Sequence, residues 1–183
     1  MTSHVALLRA INGGGVSVPM ERLRTLATDL GWVDVATHLA TGNLLLTTSE
    51  SADTVAGRLS RALRGEFARE VPVLVRTPAQ LADAVERVRP VFPGAEAGRV
   101  QVAFLDHDPG PAADERLGPF APDEHVHLGS ELALHYPHGL ARSRLTTAVI
   151  ERRLAVVATV RGLRTIEGIL ALAAGRGATS RDR

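Results

Sequence analysis

Val33-Asp34-Val35-Ala36-Thr37-His38-Leu39-Ala40-Thr41-Gly42-Asn43-Leu44-Leu45-Leu46-Thr47-Thr48 is the stretch that decides the fold. Val33 to Ala40 and Leu44 to Thr48 read as strands, and the short glycine-containing connection Thr41-Gly42-Asn43 makes them a hairpin. Upstream, the mostly apolar run from Val5 to Ile11 suits a strand buried on both faces. After Asn12-Gly13-Gly14-Gly15, Pro19 opens a helix in which Met20, Leu23, Leu26, Ala27 and Leu30 recur at helical spacing, stopped by Gly31. Downstream, Val55, Leu59, Leu63 and Phe67 mark one face of a second helix, and Val71 to Arg76 reads as a strand. The order β-α-β-β-α-β is that of a split βαβ, ferredoxin-like unit, and a helix from Pro78 to about Val88 follows it.

Pro90, Pro93, Gly94 and Gly98 form a breaker cluster that places a subdomain boundary. Beyond it come a strand at Arg99 to Leu105, a short helix or loop at Pro111 to Leu117 and a hairpin of Glu124 to Leu128 with Leu132 to Tyr136. A helix at Ser143 to Leu154, a strand at Ala155 to Val160 and a helix at Leu163 to Ala173 complete a second unit of the same kind. The expected class is therefore α+β: two ferredoxin-like, split βαβ subdomains with mostly antiparallel sheets, packed as one compact unit. Residues 1–92 form the first and 99–173 the second, less regular one; 174–183 are expected to be a disordered tail.

With 183 residues, 45% hydrophobic and 22% charged, the chain is of ordinary globular composition. Its longest apolar run, Leu154 to Val160, is too short to cross a bilayer, and Met1-Thr2-Ser3-His4 shows no signal peptide. A chain without cysteine has no disulfide, thiol nucleophile or thiolate metal site, so a cytoplasmic protein is expected. Lysine is also absent, which excludes Schiff-base chemistry and the P-loop lysine. Residues 1–141 carry 12 arginines against 17 acids, and residues 142–183 carry 9 against 3: a basic C-terminal quarter on an acidic body.

In a split βαβ unit the first and second strands run parallel, which brings Asn12-Gly13-Gly14-Gly15 close to Thr41-Gly42-Asn43. Glycines let backbone N–H groups approach a guest, a helix start adds partial positive charge, and Arg9 supplies a fork of donors, so an anionic ligand is the expected guest. The bland alternative is that the glycines only turn the chain and that Asn12 and Asn43 only suit the turns. A further candidate is the segment from His135 to Thr146, where Tyr136, Arg142, Ser143, Arg144 and Thr146 surround an expected helix start with Ser143 as N-cap. Ser143 as nucleophile with His138 as base is a weaker alternative, since no acid is evidently placed to orient the histidine. With Val126 and Leu128 on the face of Leu132 and Leu134, a three-residue loop Gly129-Ser130-Glu131 sets His125 opposite His135 with His127 beside them. Such a trio can bind zinc, but a polar outer face without ligand is the preferred reading, and no metal is expected.

Leu7-Leu8-Arg9-Ala10-Ile11-Asn12-Gly13-Gly14, Thr41-Gly42-Asn43 and Tyr136-Pro137-His138-Gly139 with Arg142-Ser143-Arg144-Leu145-Thr146, in this order and spacing, resemble the bacterial domain-of-unknown-function family DUF1697. The resemblance runs from Val5 to about Leu172 and includes Val71-Pro72-Val73 and Val102-Ala103-Phe104-Leu105. It implies two ferredoxin-like halves, no established activity, and recurrent polar positions at Arg9, Asn12, Gly14, Gly42, Asn43, Tyr136, Gly139 and Ser143. The chain departs from the family pattern at Ala10, where glycine is usual, at Arg144, where lysine is common, and at Arg161-Gly162-Leu163-Arg164-Thr165, where an Asn-Trp-Asn-Thr stretch is typical.

The leading expectation is a module that binds an anionic or phosphate-bearing ligand through Arg9, Asn12, Gly13, Gly14, Thr41, Gly42, Asn43, Tyr136, Arg142, Ser143 and Thr146. The ligand is a small molecule or, with six aromatics and no base-stacking strand pattern, a nucleic acid held mainly by its phosphates. The alternatives are a hydrolase or transferase with His138 or His135 as general base, and a structural or interaction module. The sequence leaves the cofactor open, and no membrane partner is expected.

Overall fold

A computed structural model describes residues 1–12 and 15–179 of the chain, with side chains described as far as Arg176. Its elements are β1 (Thr2–Leu8), α1 (Met20–Asp29), β2 (Val33–His38), β3 (Asn43–Thr48), α2 (Ala52–Phe67), β4 (Val73–Arg76), α3 (Pro78–Val88), β5 (Val100–Leu105), α4 (Ala113–Leu117), β6 (Glu124–His127), β7 (Glu131–His135), α5 (Thr147–Leu154), β8 (Ala158–Gly162) and α6 (Leu163–Thr179). The strands form two four-stranded antiparallel sheets, ordered β2-β3-β1-β4 and β6-β7-β5-β8. Both carry the split βαβ order, in agreement with the α+β class expected from the sequence. Two compact units divide the chain: residues 1–81 with 168–183, and residues 82–167. The division thus falls inside α3 and α6, whereas the sequence places its boundary in the Pro90 to Gly98 cluster. Among the described residues no helix is long and apolar enough to cross a membrane.

In the first unit Val5, Ala6, Leu7 and Leu8 of β1 have no exposed surface, because this strand lies between β3 and β4. Ala6 and Leu8 pack with Leu44, Leu46 and Val75 against Leu23, Leu26 and Ala27 of α1 and Val55, Leu59 and Leu63 of α2. Local signals bound these helices. Ser51 caps α2 by accepting from the Thr54 N–H at 3.2 Å, and Gly31, at φ 83°, ends the turn after α1. Thr77 and Gln80 form a reciprocal capping box at α3, the Thr77 N–H donating to Gln80 Oε1 at 2.8 Å and the Gln80 N–H to Thr77 Oγ1 at 3.2 Å.

In the second unit Leu132, Leu134 and Tyr136 join Ala113 and Leu117 of α4 and Ile150 and Leu154 of α5 in one core. Four expectations are corrected here. The β6–β7 connection is the two-residue Gly129-Ser130 turn, with the Leu128 N–H donating to the Glu131 carbonyl at 2.9 Å, because Gly129 takes φ 78°, which a tight hairpin demands. The register therefore shifts by one, and His125 lies opposite Leu134 while His135 lies opposite Glu124. Residues directly opposite share a face, so His125 and His127 stand apart from His135 and the imidazole trio does not form. Their rings are satisfied instead by Asp114 and the Gly118 carbonyl, and by Asp108 and the Gly129 carbonyl. Ser143 is not a helix cap: a short 3-10 turn spans Leu140–Arg142, and α5 begins after Thr146, whose hydroxyl accepts from the Val149 N–H at 3.4 Å. Finally, α6 continues through residues 174–179, where the sequence predicts a tail. Residues 174–179, Ala-Gly-Arg-Gly-Ala-Thr, prolong a helix already nucleated upstream in spite of two glycines and the lack of apolar periodicity.

Leu59 has no exposed surface at the centre of the α2 face, so Leu59→Ala should lower stability by about 2–5 kcal/mol, read as a reduced urea midpoint at unchanged slope.

Candidate functional site

The expected juxtaposition of two loops in the first unit is present. The Leu8 N–H donates to the Gly42 carbonyl at 2.8 Å, which carries the β1–β3 ladder past the end of the strands. Asn12, at φ 54°, spends its side chain on backbone: Nδ2 donates to the Val18 and Ala40 carbonyls, both at 2.8 Å, and Oδ1 accepts from the Val18 N–H at 2.7 Å. One amide thus ties the loop after β1 to the β2–β3 hairpin. Asn43 is fully buried, its Nδ2 donating to the His38 carbonyl at 2.8 Å and to Thr41 Oγ1 at 3.2 Å. Asn12 and Asn43 therefore shape the loops, and Thr41 is drawn into the same brace. Gly13 and Gly14, two of the expected ligand contacts, lie outside the described residues.

Two glycines of this site permit no side chain. A Cβ on Gly42, at φ 81°, would stand 2.7 Å from Ile11 Cδ1 and 2.9 Å from Leu8 Cβ, and one on Gly15 would overlap the Ala10 carbonyl oxygen at 1.8 Å. A cleft of about 620 Å³ lies beside the end of β1, lined by Arg9, Gly15, Ser17, Arg69, Glu70 and Pro72 among others. Arg9 is half-buried and its N–H donates to the Pro72 carbonyl at 2.9 Å. Arg69 is exposed, and the Glu70 carboxylate sits 2.8 Å from Arg64. The sequence reading missed Arg69. The signal was available in the topology: β4 pairs antiparallel with β1, Leu8 opposite Val73, so the α2–β4 connection must reach the same sheet edge as the loop after β1.

In the second unit two of the expected ligand residues, Tyr136 and Ser143, form a brace. Tyr136 is 1% exposed and its hydroxyl donates to the Leu145 carbonyl at 3.0 Å; burial raises its pKa above the usual phenol value. Ser143 Oγ donates to Asp123 Oδ2 at 2.7 Å and accepts from the Leu145 N–H at 2.8 Å, so the hydroxyl is engaged on both sides. His138 is exposed and makes no hydrogen bond among the described residues, which separates it from any Ser143 dyad. Arg142 and Thr146 are exposed, and Thr146 is the α5 cap. The basic C-terminal quarter is likewise divided. Arg153 packs over the Phe120 ring at 4.9 Å and donates to the Leu117 carbonyl, while Arg161 is 8% exposed and donates to Thr159 Oγ1 and the Val160 carbonyl, both at 2.8 Å. Burial pushes the Arg161 pKa down to about 10, so it remains a cation at neutral pH. Among the described residues no three His, Asp or Glu side chains come together as a metal site.

The Asn12 brace gives a direct test. Asn12→Ala leaves the Val18 N–H and two carbonyls without their amide partner and puts alanine at positive φ, so it should cost about 1–3 kcal/mol in urea unfolding, and Gly42→Ala at least as much.

A solved structure titled as a conserved bacterial protein from Streptococcus pneumoniae superposes with a TM-score of 0.70 at 19% sequence identity, covering 94% of this chain and 98% of that one. At that identity the likeness shows the shared fold. Comparison with curated proteins finds no match. The family model described as "Protein of unknown function (DUF1697)" matches residues 1–132, and the chain belongs to that family.

Proposed function

We propose that the first unit binds a small phosphate-bearing anion in the cleft beside the end of β1. One observation carries the reading: Arg9 and Arg69, brought from two connections some sixty residues apart, line the same 620 Å³ cleft as the side-chain-free backbone of Gly15. The one carboxylate among the lining residues, Glu70, is held by Arg64, so the local balance of charge is positive. Guanidinium forks match phosphate geometry, and half-burial of Arg9 strengthens that match over an exposed pair. The cleft volume falls in the range of small-molecule sites.

The braces around the cleft have a functional consequence under this reading. With Asn12 already committed to the backbone of the loop that lines the cleft, the ligand meets a preformed cavity and pays little ordering entropy. Specificity then rests on the two arginines, and Phe67 is the one aromatic among the lining residues that could serve a base as a shelf. That favours a compact phosphate or diphosphate over a nucleic acid strand, which needs an extended basic track with stacking.

Thermal melting with inorganic pyrophosphate, ATP and a single-stranded oligonucleotide tests the proposal. A ligand at about 100 times its Kd adds about 2.7 kcal/mol of stability, which is several degrees in Tm. Pyrophosphate or ATP should raise Tm, and Arg9→Gln and Arg69→Gln should each abolish most of that rise. A rise that survives both substitutions, or no rise with any of the three probes, overturns the reading. A rise with the oligonucleotide alone replaces the small anion with nucleic acid.

A further inference from the structure

The second unit holds a cleft of about 510 Å³ that none of the residues discussed above explains, lined by Phe92, Glu96, Arg99, Glu124, His135 and Pro137 among others. The chain that carries the first three is set by successive turns. The Val91 N–H donates to Val88 at 3.1 Å, Ala95 to Phe92 at 3.1 Å and Arg99 to Glu96 at 2.8 Å, all through backbone carbonyls. The Arg99 carbonyl accepts from the Tyr136 N–H at 2.9 Å, which locks this segment beside the end of β7. Register does the rest, since His135 and Glu124 are directly opposite on β7 and β6 and share a face.

The polar groups of the cleft are unevenly used. His135 Nδ1 lies 2.8 Å from Glu124 Oε1, and its ring packs 5.4 Å from Phe92 at a tilt of 33°. With Nδ1–H donating to the carboxylate, Nε2 of the neutral ring is an acceptor with no hydrogen bond among the described residues. The Arg99 guanidinium makes no hydrogen bond among the described residues; its nearest carboxylate is Glu96 at 3.9 Å, beyond hydrogen-bonding distance. Gly139 leaves the space that guanidinium occupies, because a Cβ there would lie 2.8 Å from Arg99 Nη1.

These groups have mixed sign. An anion alone would meet Arg99 and two carboxylates, and a cation alone would meet the guanidinium. A ligand carrying both charges satisfies all of them. An ammonium group has three N–H donors, and the cleft offers three acceptors in Glu96, Glu124 Oε2 and His135 Nε2; the Arg99 fork suits a carboxylate, while Phe92 and Pro137 supply an apolar wall. We propose that this cleft binds a small zwitterion of the α-amino-acid class, its carboxylate on Arg99, its ammonium on the Glu96–Glu124–His135 acceptors and its apolar side chain against Phe92. This site is in the other unit from the phosphate cleft and does not rest on it.

Calorimetric titration of the full chain with L-leucine, 4-methylpentanoate and 3-methylbutylamine tests the match, because the last two each lack one charge of the first. L-Leucine should bind, with each half-molecule at least about tenfold weaker, the loss expected for one charged hydrogen-bonded pair. Arg99→Gln and Glu96→Gln should each weaken L-leucine by a similar factor with unchanged circular dichroism. Arg116→Gln, in the same unit but outside the cleft, should not. No heat with L-leucine or L-phenylalanine at millimolar concentration overturns the proposal. So do half-molecules that bind as well as L-leucine, or an Arg99→Gln variant that folds and binds like the parent.

Discussion

Burial of β1 constrains everything else in the first unit. A strand with no exposed surface from Val5 to Leu8 cannot leave its backbone groups to water, so it must lie between two partners. It does, with β3 on one side and β4 on the other, both antiparallel. Three connections then end at one sheet edge: the loop after β1, the β2–β3 hairpin and the α2–β4 connection. The proposed phosphate cleft is lined by two of them, the loop after β1 and the α2–β4 connection, which the pairing of a buried strand on both sides brings to one edge.

The second unit repeats the arrangement with β5 between β7 and β8, and repeats it with different chemistry at the edges. The arginine-rich segment after β7 follows the unit's third strand, as residues 49–51 do in the first, so it is not the counterpart of the glycine loop after β1. What gathers around it is Arg99, at the start of the central strand, and His135, at the end of its neighbour. The two units therefore present candidate sites of unlike charge: a positive cleft in one, a mixed-sign cleft in the other.

Most polar residues singled out from the sequence turned out to hold the backbone in place. Asn12, Asn43, Tyr136 and Ser143 all bond to main-chain groups that helices and strands leave unpaired. A residue type that suits a ligand contact also suits such a brace, because both need a fixed amide or hydroxyl at a loop. The cleft walls instead carry arginines, and Arg69 and Arg99 were harder to single out in a chain whose basic residues are all arginine.

Element order, strand count and the approach of Asn12 to the β2–β3 hairpin were legible in the sequence alone, because periodicity, breakers and antiparallel pairing are local or follow from chain order. Apolar runs such as Val5 to Leu8 and the four-residue spacing of Val55, Leu59 and Leu63 carry that information directly. Only the tertiary structure decided the rest. The β6–β7 register hung on one glycine's positive φ, which moved His125 away from His135. The neighbours of Arg9 and Arg99 come from segments dozens of residues away, Arg69 and His135 among them. A side chain's role in a site depends on which distant groups share its cavity and which of its own donors are already used, and neither is written in the residues beside it.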